Sequence, residues 1–144
     1  MPVTRGRRLG IDVGSVRVGV ALSDPDGVLA TPLATVARDV ARGSDLDTIS
    51  GFVVEHDVVG VVVGLPRTLA GREGPAAEAA REFATALATR LPAGVPVAFS
   101  DERLTTVVAT RQMRESGRKG RRQRAVVDQV AAVTILQGWL DARR

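Results

Sequence analysis

The chain has 144 residues, 44% of them hydrophobic, and a net charge of +4, which suits one domain over residues 1–144. It has no cysteine and one histidine, His56, which excludes disulfides, thiolate zinc sites and a cysteine nucleophile. No apolar run approaches the roughly 18 residues of a membrane span and no apolar leader is present, so we expect a soluble, cytoplasmic protein without membrane partners. Its chemistry must then rest on carboxylates, hydroxyls or bound ions.

The first half of the chain predicts three strands and a helix. Alternating apolar residues with turn residues between them indicate a meander, and Ser44 with two following aspartates indicates a helix start. The predicted elements are strands at Arg8–Val13, Arg17–Ser23 and Ala30–Val36 and a helix from Ser44 to about His56.

The second half has the pattern of strands buried on both faces and alternating with helices. A continuous apolar run is typical of a parallel strand, and an alanine-rich stretch follows it after a glycine-bounded loop. The predicted elements are a strand at Val58–Val63, a loop at Gly64–Gly74, a helix ending near Leu91, a strand at Val95–Ser100, and helices at about Leu104–Ser116 and Ala125–Arg143. This order predicts an α/β fold with a mixed five-stranded sheet and helices packed on it.

Ligands in such sheets gather at the carboxyl ends of the strands, where the strand order reverses. Asp12 lies near the end of the first predicted strand, although aspartate is depleted in strands. Asp101 and Glu102 follow the last strand, where they would also complement the dipole of a following helix. Asp12 could instead pair with an arginine or accept bonds from the Gly14–Ser15 turn, since a buried carboxylate needs compensation.

Asp128 begins an apolar stripe on the last predicted helix. The residues three, four, seven and eight positions later are Ala131, Ala132, Ile135 and Leu136. The stripe predicts that Asp128 faces inward, and the small alanines would let the helix approach the sheet near Asp12. An aspartate in the first turn that serves only the helix dipole would face solvent instead.

Inward carboxylates from separate elements repel one another unless a cation neutralises them. Hard oxygen ligands suit Mg²⁺ or Mn²⁺, and two ions roughly 4 Å apart could activate water and stabilise the leaving oxygen of a phosphodiester. This combination predicts metal-dependent hydrolysis without histidine or cysteine.

A basic segment without acidic residues supports a nucleic acid substrate. Its charged residues are Arg118, Lys119, Arg121, Arg122 and Arg124. We expect it to be a mobile connection between the last two helices that binds phosphates, although a solvated loop is the common alternative. The alternative path for substrate runs along Arg17, Arg67, Arg72 and Arg103.

Five motifs in order resemble the YqgF/RuvX family, whose members are described as Holliday junction resolvases and as nucleases that mature the small-subunit ribosomal RNA precursor. They are Gly10–Ser15, Arg17–Ala21 with Ser23 and Asp24, Val63–Pro66 with Gly71 and Gly74, Asp101–Thr106, and Val127–Asp128 with Ala131, Ala132 and Ile135–Gln137. The chain departs from the family at Val16 and Arg124, where lysine is usual.

The resemblance covers nearly the whole chain and implies an RNase H-like nuclease with Asp12, Glu102 and Asp128 as catalytic and metal-binding residues. It implies an RNA precursor or branched DNA as substrate, with RNA maturation preferred, and leaves a homodimer open. Two other interpretations remain. An ATPase of the sugar kinase or Hsp70 type shares the first hairpin but needs two such domains. A non-catalytic RNA-binding protein would use the basic segment alone, through backbone contacts because aromatic residues are few.

Overall fold

The computed structural model describes residues 5–68, 70–103 and 121–143, and the side chains of residues 103 and 121–125 fall outside the description. The strands are β1 (Arg8–Val13), β2 (Arg17–Ser23), β3 (Ala30–Ala37), β4 (Gly60–Arg67) and β5 (Val97–Arg103). The helices are α1 (Ser44–Glu55), α2 (Pro75–Ala88) and α3 (Arg121–Asp141). The helix predicted at Leu104–Ser116 lies outside the described residues.

The strands form one five-stranded sheet in the order β3-β2-β1-β4-β5. β1 pairs antiparallel with β2 and β2 antiparallel with β3, whereas β4 is parallel to both β1 and β5. The predicted mixed five-stranded α/β sheet is therefore confirmed. The order reverses at β1, whose two neighbours are the next strand in the chain and a later one.

Apolar residues cover both faces of the sheet, because alternate side chains of each strand point to opposite sides. One cluster joins Ile11, Val18 and Val63 to α2 residues such as Phe83. The other joins Ala21 and Val62 to the inner side of α3. The sheet is thus the middle layer, with α1 and α2 on one side and α3 on the other.

The sheet divides into two ribbons at the carboxyl ends of β1 and β4, which is called the divided edge below. The described pairing of β1 with β4 ends at Ile11 and Val63, while β1 stays paired with β2 up to Val13. β4 and β5 continue together to Arg67 and Arg103. Two ribbons, β1–β2 and β4–β5, therefore extend separately beyond the point where the sheet is continuous.

Three predicted boundaries are wrong in ways that matter for the site. β4 and β5 run on to include Arg67 and Arg103 respectively, so Asp101 and Glu102 lie within a strand. The extra length is paired, Leu65 with Asp101 and Pro66 with Glu102, and this pairing outweighs the low strand propensity of acidic residues. α3 begins at Arg121, so Asp128 lies two turns inside the helix and not in its first turn.

Candidate active site

Three glycines let α3 lie directly on the sheet. A Cβ atom at Gly10 would lie 2.5 Å from the Leu136 Cβ, and one at Gly64 would lie 2.5 Å from the Ile135 Cδ1. A Cβ atom at Gly19 would overlap the backbone carbonyl of Asp128. The absence of these side chains brings the helix backbone against β1, β2 and β4.

This contact places Asp128 beside Asp12. Gly19 is the direct antiparallel partner of Asp12, and it is the residue on which the Asp128 backbone rests. Directly opposed residues in an antiparallel pair have Cα atoms about 4.5–5.5 Å apart. Both carboxylates are fully buried, at 0% exposure. The expected inward orientation of Asp128 and its closeness to Asp12 are thus what the structure shows.

Arg17 provides a counter-charge for Asp128. The Arg17 Nε donates to the Asp128 Oδ2 at 2.7 Å, from a side chain that is itself 22% exposed. Residues 17 and 19 of β2 face the same side, which brings this arginine onto the α3 face. The structure thus shows an arginine pairing at Asp128.

Glu102 is buried on the same face of the sheet, but on the other ribbon. Its partner in register is Pro66, and Ser100, two residues earlier, is level with Gly64, which faces α3. The Ser100 hydroxyl donates to the Glu102 Oε1 at 2.7 Å, and Glu102 is 8% exposed. Glu102 thus lies across the division of the sheet from Asp12.

Asp101 points away from this group, as alternation along β5 requires. Its carboxylate accepts a bond from the Arg67 guanidinium at 3.3 Å and is 40% exposed. Arg67 also contacts Glu73 at 3.1 Å. Asp101 and Arg67 therefore belong to an exposed ion-pair cluster on the outer side of the β4–β5 ribbon.

The donor chemistry suits a hard divalent cation only in part. Asp12 and Asp128 offer neighbouring buried carboxylate oxygens, the ligands that Mg²⁺ and Mn²⁺ prefer. Within residues 5–68, 70–103 and 121–143, however, no three acidic or histidine side chains are gathered closely enough to hold a metal ion. Two of the predicted ligands are together, and the third, Glu102, remains on the neighbouring ribbon.

The predicted phosphate-binding residues lie in several places. Arg17 and Arg67 are engaged in ion pairs, and exposed Arg72 lines a cavity of about 290 Å³ beside Pro66. Arg103 ends β5, and Arg118 and Lys119 lie outside the described residues. The backbones of Arg121, Arg122 and Arg124 form the first turns of α3, so the expectation of a loop there is wrong.

Sequence reasoning missed two parts of the site. Gly19 has no functional group, and its signal was only that a glycine inside a strand often marks a close backbone approach. Ser100 offered no signal, because a serine near a strand end is common.

No helix in the described ranges is long and apolar enough to cross a membrane.

Known proteins resemble this chain over almost its full length. A protein from Mycobacterium sp. strain KMS is 61% identical over 140 residues, which cover 97% of this chain and 82% of that protein. A protein from Nocardia farcinica is 59% identical over 144 residues, covering 96% and 79%. Both are provisionally named pre-16S rRNA nuclease.

The fold also has a counterpart among solved structures. Thermus thermophilus RuvC, in complex with a Holliday junction substrate, aligns over 96% of this chain and 95% of its own, with a TM-score of 0.53 and 16% sequence identity. That likeness confirms the RNase H-like fold. Residues 6–142 match the family described as "RuvX: Holliday junction resolvase". The sequence resemblance is thereby confirmed, and the chain belongs to the RuvX family.

Proposed function

We propose that this protein is a divalent-metal-dependent nuclease of the bacterial cytoplasm that hydrolyses phosphodiesters at the divided edge of its sheet. The observation that carries the proposal is the burial of three carboxylates, Asp12, Glu102 and Asp128, on one face of that edge. Such groups are costly to bury unless a cation or a partner compensates them. A nuclease site provides a reason for that cost.

Asp12 and Asp128 would hold the cation, and Glu102 would complete the ligand set from the β4–β5 ribbon. A bound Mg²⁺ or Mn²⁺ supplies an activated water and stabilises charge on the leaving oxygen. The chain's own residues fix where this happens. α3 holds Asp128 over Gly19, and Ser100 orients Glu102 through its hydroxyl.

The preferred substrate is the precursor of 16S ribosomal RNA, because relatives 57–61% identical carry that name. The alternative is branched DNA, which the description of the matched family favours. Both substrates present phosphates, and backbone contacts do not distinguish their sequences.

Cleavage assays decide between these substrates and test the site. A ribosomal RNA precursor, single-stranded RNA and a four-way DNA junction would each be incubated with Mg²⁺ or Mn²⁺. We expect Asp12→Asn, Glu102→Gln and Asp128→Asn each to abolish cleavage of the preferred substrate, and Asp101→Asn to lose less. Turnover retained by Asp12→Asn would refute the assignment, and nucleic acid binding without cleavage of any substrate would favour the non-catalytic interpretation.

The basic residues Arg121, Arg122 and Arg124 are proposed to bind phosphates from the start of α3. Replacing all three with glutamine should weaken binding to every nucleic acid alike, because phosphate contacts are independent of sequence. The slope of log affinity against log salt should fall by roughly one unit for each phosphate that is no longer neutralised. A weakening confined to one sequence would instead show that the residues read bases.

A further inference from the structure

We propose that Arg17 acts as the resident counter-ion of the metal-free site and is displaced when a divalent cation binds, after which its guanidinium is free to bind a substrate phosphate. This inference rests on the proposed metal-dependent function. It assigns Arg17 a positioning role toward Asp128 before cation binding and a substrate-binding role after it.

The first observation is the contact itself. The Arg17 Nε lies 2.7 Å from the Asp128 Oδ2, and the carboxylate has no exposed surface. Asp12 is equally buried and lies beside Asp128 through their shared neighbour, Gly19. Two adjacent buried carboxylates need positive charge close by, and Arg17 supplies it.

The second observation is that the two partners of this ion pair differ in freedom. Asp128 is fixed two turns inside α3, with its backbone against Gly19. Arg17 is the first residue of β2, next to the turn in which the Gly14 N–H donates to the Arg17 carbonyl at 2.9 Å. Its side chain is 22% exposed, so its guanidinium has a path to solvent that the carboxylate lacks. Arg17 is therefore the partner that moves.

The proposal follows from the position of Arg17 on the Asp128 carboxylate. A cation held by Asp12 and Asp128 would need an Asp128 oxygen and would lie next to the guanidinium, and like charges at such separations repel. A released guanidinium is well suited to a phosphate, which it can bind through two parallel hydrogen bonds.

The chain contains a matched control for this pair. Arg38 contacts Asp45 at 2.8 Å, with exposures of 15% and 0%, so its geometry is close to that of Arg17 and Asp128. It lies on the opposite face, where the Arg38 guanidinium is 5.0 Å from the Phe83 ring. A structural arginine and the proposed displaceable arginine can therefore be compared within one molecule.

The first experiment titrates Mn²⁺ alone into the full chain and measures affinity by calorimetry. We expect Arg17→Gln to bind Mn²⁺ about tenfold more tightly than the wild type, a coupling of ordinary size for linked sites. Arg17→Lys should restore near-wild-type affinity because it keeps the competing charge. Arg38→Gln should lose stability without any change in Mn²⁺ affinity.

The second experiment needs no variant and so does not depend on whether Arg17→Gln folds. Phenylglyoxal, which modifies accessible arginines, is applied to the wild type with and without Mn²⁺, and each site is quantified by mass spectrometry. Modification of Arg17 should become several-fold faster with Mn²⁺, while that of Arg38 should not change.

Failure of this inference can be separated from failure of the proposed function. If Mn²⁺ binds the wild type but neither affinity nor modification responds as expected at Arg17, the displacement is refuted and the metal site stands. If neither the wild type nor any variant binds Mn²⁺, the metal site and the displacement are refuted together.

Discussion

Two buried ion pairs of nearly equal geometry lie on opposite faces of the sheet. On the α1 and α2 face, Asp45 accepts bonds from Arg38 and also from the backbone N–H groups of Asp39 and Leu46. On the α3 face, Asp128 accepts a bond from Arg17 at the start of β2 and has a second buried carboxylate, Asp12, beside it. Burial and pairing alone therefore do not identify a functional acid.

The Arg38–Asp45 and Arg17–Asp128 pairs differ in the groups that surround each carboxylate. Asp45 is surrounded by donors, so its negative charge is compensated by the fold. Asp128 shares its surroundings with Arg17 and with a second buried acid, Asp12. Neighbouring buried carboxylates are characteristic of sites that bind a further ion.

The largest expected effects are on the two buried aspartates. Replacing Asp45 should cost more stability than replacing Asp128, whereas only the replacement of Asp128 should abolish cleavage. Asp45→Asn should cost about 3–5 kcal/mol of unfolding free energy, because it leaves the buried Arg38 without its carboxylate. Asp128→Asn should cost far less, because it also relieves repulsion from Asp12, yet it should abolish cleavage. Urea denaturation and cleavage rates of the two variants measure this. Equal stability losses would remove the distinction between the pairs.

A smaller loss of stability is expected from a substitution at Gly19, where α3 packs on the sheet. Gly19→Ala adds a methyl group against the Asp128 backbone and should cost about 1–3 kcal/mol, as overpacking usually does. It should also lower cleavage far more than this loss of stability explains, because it moves Asp128 away from Asp12. Val20→Ala, on the same strand but facing the other side, is the control.

The control variant should be destabilised by a comparable amount yet keep its turnover per folded molecule. Thermal denaturation and initial rates at a temperature where both variants are folded make the comparison. Normal activity in Gly19→Ala would mean that the position of α3 does not set the site.

The smallest effect is expected at the surface. The side-chain hydrogen bond from Arg81 and its charge, together with Arg67, lower the pKa of Glu73 to about 2 from 4.5. Its contribution to stability is therefore complete above about pH 4.5 and is lost as the pH falls toward 2. Glu73→Gln should therefore lower the urea midpoint slightly at neutral pH, because solvent screens this surface ion pair, and the difference from the wild type should vanish as the pH falls toward 2. A large loss at pH 7 would contradict this surface role.

Much of the fold followed from local patterns. The strand alternation and the stripe after Asp128 predicted the sheet and the inner side of α3 because both are set by residues close in sequence. The errors arose where the local sequence favoured two structures about equally. Acidic residues suggested that β5 stops before Asp101, but the strand continues. The run of charges suggested a loop before α3, but arginine is a good helix former and the helix begins there.

The approach of α3 to Asp12 was predicted, but specific side-chain pairs between distant residues were not. Arg17 and Asp128 are 111 positions apart, and the sequence around each residue gives no indication that the other is its partner. The same limit applies to Gly19 beneath α3. That the acids offer oxygen ligands follows from their residue types, whereas the groups that compensate their charge depend on tertiary packing.

The divided edge of the sheet has a mechanical consequence. Beyond Ile11 and Val63 the β1–β2 and β4–β5 ribbons are each stiffened by their own ladder, but the described pairing does not join them. Spreading or closing their tips therefore bends two stiff arms about a common base and leaves both ladders intact. Asp12 and Glu102 lie on different arms, whereas Asp128 moves with the first. The distance between Glu102 and the two aspartates is thus a dimension of the site that no described strand pairing fixes, and a ligand that draws them together bends the two ribbons and works against the packing of α3, which contacts both.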